Sequence, residues 1–296
     1  MRKGKTDFKL NNFLSIFVFI LLLVYVVSMI YPLIWAFYSS FKNYYEFRIN
    51  IGGLPKKWVF ENYVTAFTKF KIRVEAGEGY KDIGLFSMFI NSFLLSVGTA
   101  LATTAAHFVA AYATAKFPNY TYSKITTSIV LVVIILPIVG NLPSSLQIAH
   151  TLGLYDKIWG SWIRSASFMS VYFLVLQGMI RGIPKEFDEA AKIDGASNAS
   201  IMFSINLPLL SNILKTIFLL QFISSWNGFR EAMLFLPNHP VVAFGLYIMF
   251  ISTDNAIATI TMKLTTTMLL LLPMLVIFVL FHNKLMGNLA VGGIKG

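Results

Sequence analysis

The sequence contains no cysteine and only about half of the usual proportion of charged residues. The missing cysteines exclude disulfides, thiolate catalysis and cysteine-ligated metals. Charged residues make up 12% of the 296 residues, whereas an ordinary soluble domain carries about 25%. Hydrophobic residues make up 56%, and the mean hydropathy is +0.69. This composition favours an integral membrane protein.

Reactive groups are also scarce. No Asp or Glu lies in the core of a long apolar run, which argues against a transporter that couples to protons or sodium ions through carboxylates within its spans. The four histidines are scattered without the spacing of metal ligands. No Ser-His-Asp grouping or carboxylate pair is evident, and Gly4-Lys5-Thr6 lacks the earlier glycine and the strand of a P-loop. We therefore expect no enzyme site, no metal and no bound cofactor.

The net charge of +11 is weak evidence for nucleic-acid binding. Most Lys and Arg residues lie at the ends of apolar runs or between them, where anionic lipid head groups attract them. We predict contact with membrane lipid and none with nucleic acid.

The long apolar runs predict an all-α membrane protein with six transmembrane helices between residues 13 and 285, flanked by an N-terminal segment, 1–12, and a tail, 286–296. A span needs about 20 apolar residues. The run at 241–251 is shorter and favours an interfacial or re-entrant segment. The six predicted spans are 13–41, 85–115, 125–149, 160–182, 207–236 and 264–285.

The charge pattern leaves the orientation open. An even number of spans places both termini on one side of the membrane. With the termini inside, Lys and Arg divide equally between the two sides, because the loop 42–84 is strongly basic. That loop is long enough for a small cap outside the membrane.

A polar segment between the fourth and fifth spans predicts two short helices joined by a turn. Pro184 suits a first helical turn, and Asp188 places negative charge near the positive end of that helix. Gly195 can adopt a positive φ and end the helix. Ser197 is suited to cap the second helix.

The spacing in this segment resembles the EAA loop of ABC importer permeases. Its pattern is an E-A-A triplet, three residues, a glycine, nine residues and I-x-L-P. The resemblance implies that the loop 183–206 is cytoplasmic and that a separate ATPase docks on it. The coupling residues that it implies are Glu189, Ala190, Ala191, Asp194, Gly195, Ile205, Leu207 and Pro208.

Further motifs resemble the carbohydrate-type branch of that family, and the tail at 292–296 resembles that of the second permease subunit of maltose-type importers. His282 and Asn288 depart from the pattern of that tail. The motifs are Glu61-Asn62-Tyr63, Leu152-Gly153-Leu154, Asp194-Gly195-Ala196, Trp226-Asn227-Gly228-Phe229 and Gly292-Gly293-Ile294-Lys295-Gly296.

The resemblance implies one half of a two-permease channel in the cytoplasmic membrane of a prokaryote. Two cytoplasmic ATPase subunits would bind ATP and drive the channel, and an extracytoplasmic binding protein would deliver an oligosaccharide or related sugar. Both termini would then be cytoplasmic and the loop 42–84 extracytoplasmic. The alternatives are a permease for a non-sugar solute and an autonomous secondary transporter.

Several polar or aromatic residues in or near the spans are candidates for the substrate pathway. Buried polar groups in a span face a cavity or the bundle interior. Arg230 and Glu231 could instead lie at the membrane interface, where Trp is also common, and the two amides could hydrogen-bond between helices. The candidates are Asn91, Gln177, Trp226, Asn227, Arg230 and Glu231.

Overall fold

The computed structural model describes residues 5–76, 79–136, 140–252 and 259–289, and the described chain is predominantly helical, as predicted. The tail motif at 292–296 lies outside these residues. The elements are α1 (Lys5–Ser39), α2 (Tyr44–Ile49), α3 (Glu61–Lys69), β1 (Lys71–Ala76), β2 (Gly79–Gly84), α4 (Leu85–Lys116), α5 (Thr121–Ile135), α6 (Leu142–Thr151), α7 (Ile158–Ser165), α8 (Val171–Arg181), α9 (Lys185–Ile193), α10 (Asn198–Ile201), a π-helical segment (Met202–Asn206), α11 (Leu207–Leu209), α12 (Ser211–Asn227), α13 (Arg230–Phe235), α14 (Val242–Ile251) and α15 (Ile260–Leu289).

Two described helices are each long and apolar enough to cross a membrane by themselves, namely α1 over Phe13–Ser39 and α4. A third candidate forms if Asn198–Leu209 and Ser211–Asn227, which are bent by 78°, are taken as one span. The other apolar helices are shorter: α5, α8, α14 and the Ile260–Val276 part of α15. Six membrane crossings therefore remain a prediction.

Three of the predicted spans each contain more than one helix in the structure. The run 125–149 is divided between α5 and α6, the run 160–182 between α7 and α8, and the run 207–236 among α11, α12 and α13. Helix caps explain part of the difference. Pro143 lies in the first turn of α6, and the Ser170 hydroxyl accepts a hydrogen bond from the N–H of Tyr172 at the start of α8. Hydropathy sums composition and does not register these interruptions.

Of the described residues, 5–70, 249–252 and 259–271 form one compact unit. In this unit, the centroid of the Phe41 ring lies 5.1 Å from those of Trp58 and Phe60 and 5.0 Å from that of Tyr63. The Asn62 amide donates to the carbonyls of Ser40 (2.7 Å) and Lys42 (2.9 Å). The Glu61-Asn62-Tyr63 motif therefore folds the loop back onto the end of α1.

Lys42 is fully buried in this unit. Its ammonium donates to the carbonyl of Asn50 at 2.7 Å and to that of Ile51 at 3.2 Å. Burial lowers the pKa of the Lys42 ammonium below its ordinary value, and the charge of Glu46 opposes that shift. The loop after α1 is thus a folded cap with its own buried polar centre.

The described residues of 71–248, together with 272–289, form the second unit. The antiparallel β1–β2 hairpin, with Lys71 opposite Gly84 and Ala76 opposite Gly79, leads directly into α4. Helix α4 then packs against α5, α7, α8 and α12. Small buried residues such as Ala100 and Ala111 allow these helices to approach closely. Helix α4 is therefore the centre of this unit.

Candidate coupling site and substrate pathway

The first helix of the polar segment, α9, begins after Pro184, which has extended backbone angles (φ −54°, ψ 136°). Glu186 and Asp188 lie in its first turn, and Lys192 lies in its last. These charges oppose the partial charges at the two ends of the helix. None of the residues of α9 is buried, so the helix projects from the core and is open to another protein.

Helix α9 ends at Gly195 as predicted. Gly195 has a φ of +78°, its N–H donates to the carbonyl of Lys192 (3.0 Å), and the N–H of Ala196 donates to the carbonyl of Ala191 (2.9 Å). This pair of hydrogen bonds is a Schellman motif. Among the described residues, apart from Gly195 itself and its two neighbours in the chain, no atom lies within 4 Å of the position that a Cβ would take at Gly195. The glycine is therefore required by backbone conformation and not by lack of space.

The second helix begins at the predicted cap. The Ser197 hydroxyl accepts a hydrogen bond from the N–H of Ser200 at 3.1 Å, and α10 follows. The chain then widens into the π-helical segment before Pro208 and the bend that leads into α12. Asn206 is fully buried there, and its amide donates to the carbonyl of Ile201 at 3.2 Å.

The structure brings two alanines of the E-A-A triplet close to the isoleucine of the I-x-L-P end of the motif. Ala190 and Ala191 line one side of a cleft of about 410 Å³, and Ile205 lines the other. Phe187, which lines the cleft, is exposed, and so are Ile193 and Phe203 in the same polar segment. The cleft is lined by Glu186, Phe187, Ala190, Ala191, Asp194 and Ile205. Of the other motif residues, Glu189, Gly195, Leu207 and Pro208 are exposed.

Helix α4 holds both short helices, which the sequence did not reveal. The Lys116 ammonium lies 2.6 Å from Asp188 Oδ2, and only 13% and 16% of the two side chains are exposed. The Tyr112 hydroxyl donates to the carbonyl of Asn198 at 3.0 Å. The partners lie far apart in the chain, so no local pattern links them. Lys116, at the end of an apolar run, was the one available signal.

The segment also has an apolar base. Ile183 and Met202 pack against the main core cluster of the unit, which includes Tyr112, Ile180 and Leu210. This cluster joins α4, α8 and α12. The two short helices are therefore attached to the core of the unit at their base and exposed on the side away from it.

Two of the six pathway candidates form hydrogen bonds between distant parts of the fold. The Gln177 amide is buried and donates to the hydroxyls of Thr114 (2.8 Å) and Thr127 (2.9 Å), joining α8 to α4 and α5. The Asn91 amide donates to the carbonyl of Pro240 at 3.0 Å. These contacts are of the interhelical and packing type that the sequence left open as an alternative.

The aromatic candidate lies in the core. Trp226 is buried against Phe222, with a centroid distance of 5.7 Å, and Phe89 lies 6.3 Å away. Asn227, beside it in the chain, is exposed and donates to the carbonyl of Ile223 at 3.0 Å. The indole of Trp226 therefore packs between helices within this unit.

Glu231 belongs to an ion pair. The guanidinium of Arg164 donates to both of its carboxylate oxygens at 3.1 Å, and the Ser161 hydroxyl donates to Oε1 at 2.8 Å. The guanidinium also lies 3.4 Å from the centroid of the Phe235 ring. Arg230, the next residue to Glu231, is exposed. The six candidates thus have different surroundings in α4, α8, α12 and α13.

Known proteins that resemble this chain are ABC transporter permeases. No family model matches it. The galactooligosaccharides transport system permease protein GanQ of Bacillus subtilis is 26% identical over 296 residues, covering 98% of this chain and 99% of the relative. The melibiose/raffinose/stachyose import permease protein MelC of the same organism is 26% identical over 246 residues, 83% and 86% of the two chains. The sulfoquinovosyl glycerol transport system permease protein SmoH of Agrobacterium fabrum is 25% identical over 281 residues, 94% and 93%.

The fold has a solved counterpart. A chain of a bacterial ABC transporter involved in the import of the acidic polysaccharide alginate superposes with a TM-score of 0.77. The match covers 96% of this chain and 99% of that chain at 19% sequence identity. Nearly the whole described fold is therefore that of one chain of an ABC importer.

Proposed function

We propose that this chain, which is related in sequence to permease subunits of ABC sugar importers and shares the fold of an ABC importer chain, forms half of a sugar channel. Its cargo is an oligosaccharide or related sugar. Relatives that match over most of their length carry names for galactooligosaccharide and for melibiose, raffinose and stachyose transport. The channel lies in the cytoplasmic membrane of a prokaryote, with both termini in the cytoplasm.

The observation that carries the proposal is the exposed α9–Gly195–α10 unit. Glu189, Ala190 and Ala191 lie on a helix with no buried residue, together with exposed Phe187 and Ile193, and Asp194 follows directly at its C-terminal end. Small side chains beside exposed apolar ones suit a helix that packs in a groove of another protein. In our proposal that protein is a separate ATPase subunit.

The remaining parts of the assembly follow from the same proposal. A second, different permease subunit completes the channel, two ATPase subunits bind ATP on the cytoplasmic side, and an extracytoplasmic binding protein delivers the sugar. No Asp or Glu lies in the core of its apolar runs, so in our proposal the chain depends on this external source of energy.

A matched pair of variants at Gly195 tests the proposal. Gly195→Val forces a β-branched residue into the left-handed region, where an ordinary residue costs about 1–2 kcal/mol, whereas Gly195→Asn supplies a residue that tolerates it. We expect uptake of the labelled sugar that copurifies with the binding protein to fall about tenfold in the valine variant, since 1.4 kcal/mol corresponds to a factor of ten. The asparagine variant should stay close to wild type.

The control is sugar capture by the binding protein, which neither substitution should change. The proposed role of this turn would be contradicted if the valine variant and the wild type showed equal uptake with equal amounts of the chain in the membrane.

A further inference from the structure

The Lys116–Asp188 ion pair is built differently from a surface salt bridge. The 2.6 Å contact is mostly shielded from water, whereas the Arg73–Asp82 pair of the hairpin is 3.2 Å long with side chains 70% and 43% exposed. Exposed pairs contribute little, but removing one partner of a shielded pair leaves an uncompensated charge. Lys116 and Asp188 therefore depend on each other.

Asp188 also has a surplus of acceptor capacity. Its second oxygen, Oδ1, is buried and has no hydrogen-bond partner among the residues that the structure describes. Glu186, in the same first turn of α9, is exposed and already supplies a negative charge for the helix end. Stabilising the start of α9 thus does not account for a shielded carboxylate at position 188. The contact of Asp188 with Lys116 at the end of α4 accounts for it.

The other end of this contact is the last turn of the central helix. Lys116 ends α4, and one turn earlier the hydroxyl of Tyr112 holds the carbonyl of Asn198 in α10. Helix α4 packs in turn against α5, α7, α8 and α12. A displacement of α9 that is transmitted through Lys116 therefore reaches the centre of the unit directly.

We propose that Lys116 and Asp188 are positioning residues that lock α9 to α4, so that movement of the docked α9 shifts α4 instead of only tilting the loop. This inference rests on the proposed function and names the route by which the coupling loop acts on the spans. The pair touches neither ATP nor sugar. Without the pair, ATP hydrolysis should continue but drive less transport, while the binding of ATP and of sugar should be unchanged.

The test compares hydrolysis and uptake in the complete complex reconstituted in liposomes. In Lys116→Met we expect uptake per ATP hydrolysed to fall about tenfold, within the range of couplings between contacting residues, while hydrolysis stimulated by the binding protein persists. Lys116→Arg should retain coupling. The reversed pair, Lys116→Asp with Asp188→Lys, should regain most of it.

Lys124→Met is the matched control. Lys124 is an exposed lysine in α5, close in the chain to Lys116, and the structure gives it no ion pair with the described residues. The Lys124→Met substitution removes the same charge from the same region and should leave uptake per ATP hydrolysed unchanged. Unaltered coupling in Lys116→Met, or a reversed pair no better than the single variants, would overturn the inference.

A second measurement tests the inference if the Lys116→Met variant assembles poorly. The chain has no native cysteine, so Lys116→Cys combined with Asp188→Cys can be joined by a short bifunctional thiol reagent in the assembled complex. We expect coupling to rise after cross-linking, and no gain would count against the inference. Failure of the wild-type complex to import sugar would instead refute the proposed function.

Discussion

At the scale of single residues, hydrogen-bond partners show which candidate residues join helices of this chain. Both oxygens of Glu231 accept hydrogen bonds from Arg164, and Oε1 also accepts one from Ser161. Only 18% of the arginine and 30% of the glutamate side chain are exposed. Within this chain, the carboxylate is thus engaged in joining α7 to α13.

Replacing Glu231 should therefore affect stability more than sugar affinity. Glu231→Gln leaves the shielded guanidinium of Arg164 without its carboxylate, and we expect a loss of about 1–3 kcal/mol in the free energy of unfolding. Thermal unfolding of the purified complex in detergent measures the loss. Arg230→Gln is the control, because Arg230 is adjacent and exposed. A strongly raised KM for sugar with unchanged stability would instead favour the pathway role.

The predictability of individual residues depended on the range of their interactions. Gly195 and Ser197 act within a few residues of themselves, so the chemistry of helix ends was sufficient to predict both. The partnership of Lys116 with Asp188 joins distant parts of the chain and had no local signature. The indole of Trp226, whose role in the pathway stays a prediction, packs against Phe222 and Phe89 in the core.

At the scale of elements, the exit from the coupling loop is more complex than the expected start of a span at residue 207. A π-helical segment, the short α11 and a bend of 78° separate α10 from α12. Pro208 has no N–H to donate, and π-helical turns occur often at functional sites. Sequence reasoning identified the proline but not the widened turn, since a segment of five residues is too short to be recognised from apolar periodicity.

Asn206 supports this widened turn, and its replacement tests the importance of that geometry. Asn206→Leu removes a buried amide that donates to the carbonyl of Ile201, and we expect a loss of about 1–3 kcal/mol in stability. Uptake should fall as well, because the bend positions the loop relative to α12. Thermal unfolding and uptake are both measured. Asn212→Leu, at an exposed position in α12, should change neither, and equal effects of the two variants would argue against a special role for the π-helical turn.

At the scale of the whole molecule, composition predicted the class and the motif spacing predicted the family resemblance, yet neither predicted where helices stop. Charge content and long apolar runs are global properties that survive local interruptions. The breaks before α6 and α8 depend on Pro143 and on the Ser170 cap, which hydropathy does not register. The folded cap around Phe41 and Lys42 depends on contacts between segments that are polar or mixed in sequence, where hydrophobic periodicity is weak.

The final prediction concerns the division of labour between this chain and its proposed partners. The sequence has no P-loop: Gly4-Lys5-Thr6 has neither the earlier glycine nor the preceding strand that a phosphate-binding loop requires. We therefore expect the purified chain, in detergent or in liposomes, to release no phosphate from ATP. Adding the second permease and the ATPase subunits should produce hydrolysis that increases with sugar-loaded binding protein. The control is a complex in which the P-loop lysine of the ATPase subunit is replaced. This complex should hydrolyse no ATP although this chain is intact. ATP hydrolysis by that complex, or by the isolated chain, would contradict the assignment of all nucleotide chemistry to the partner.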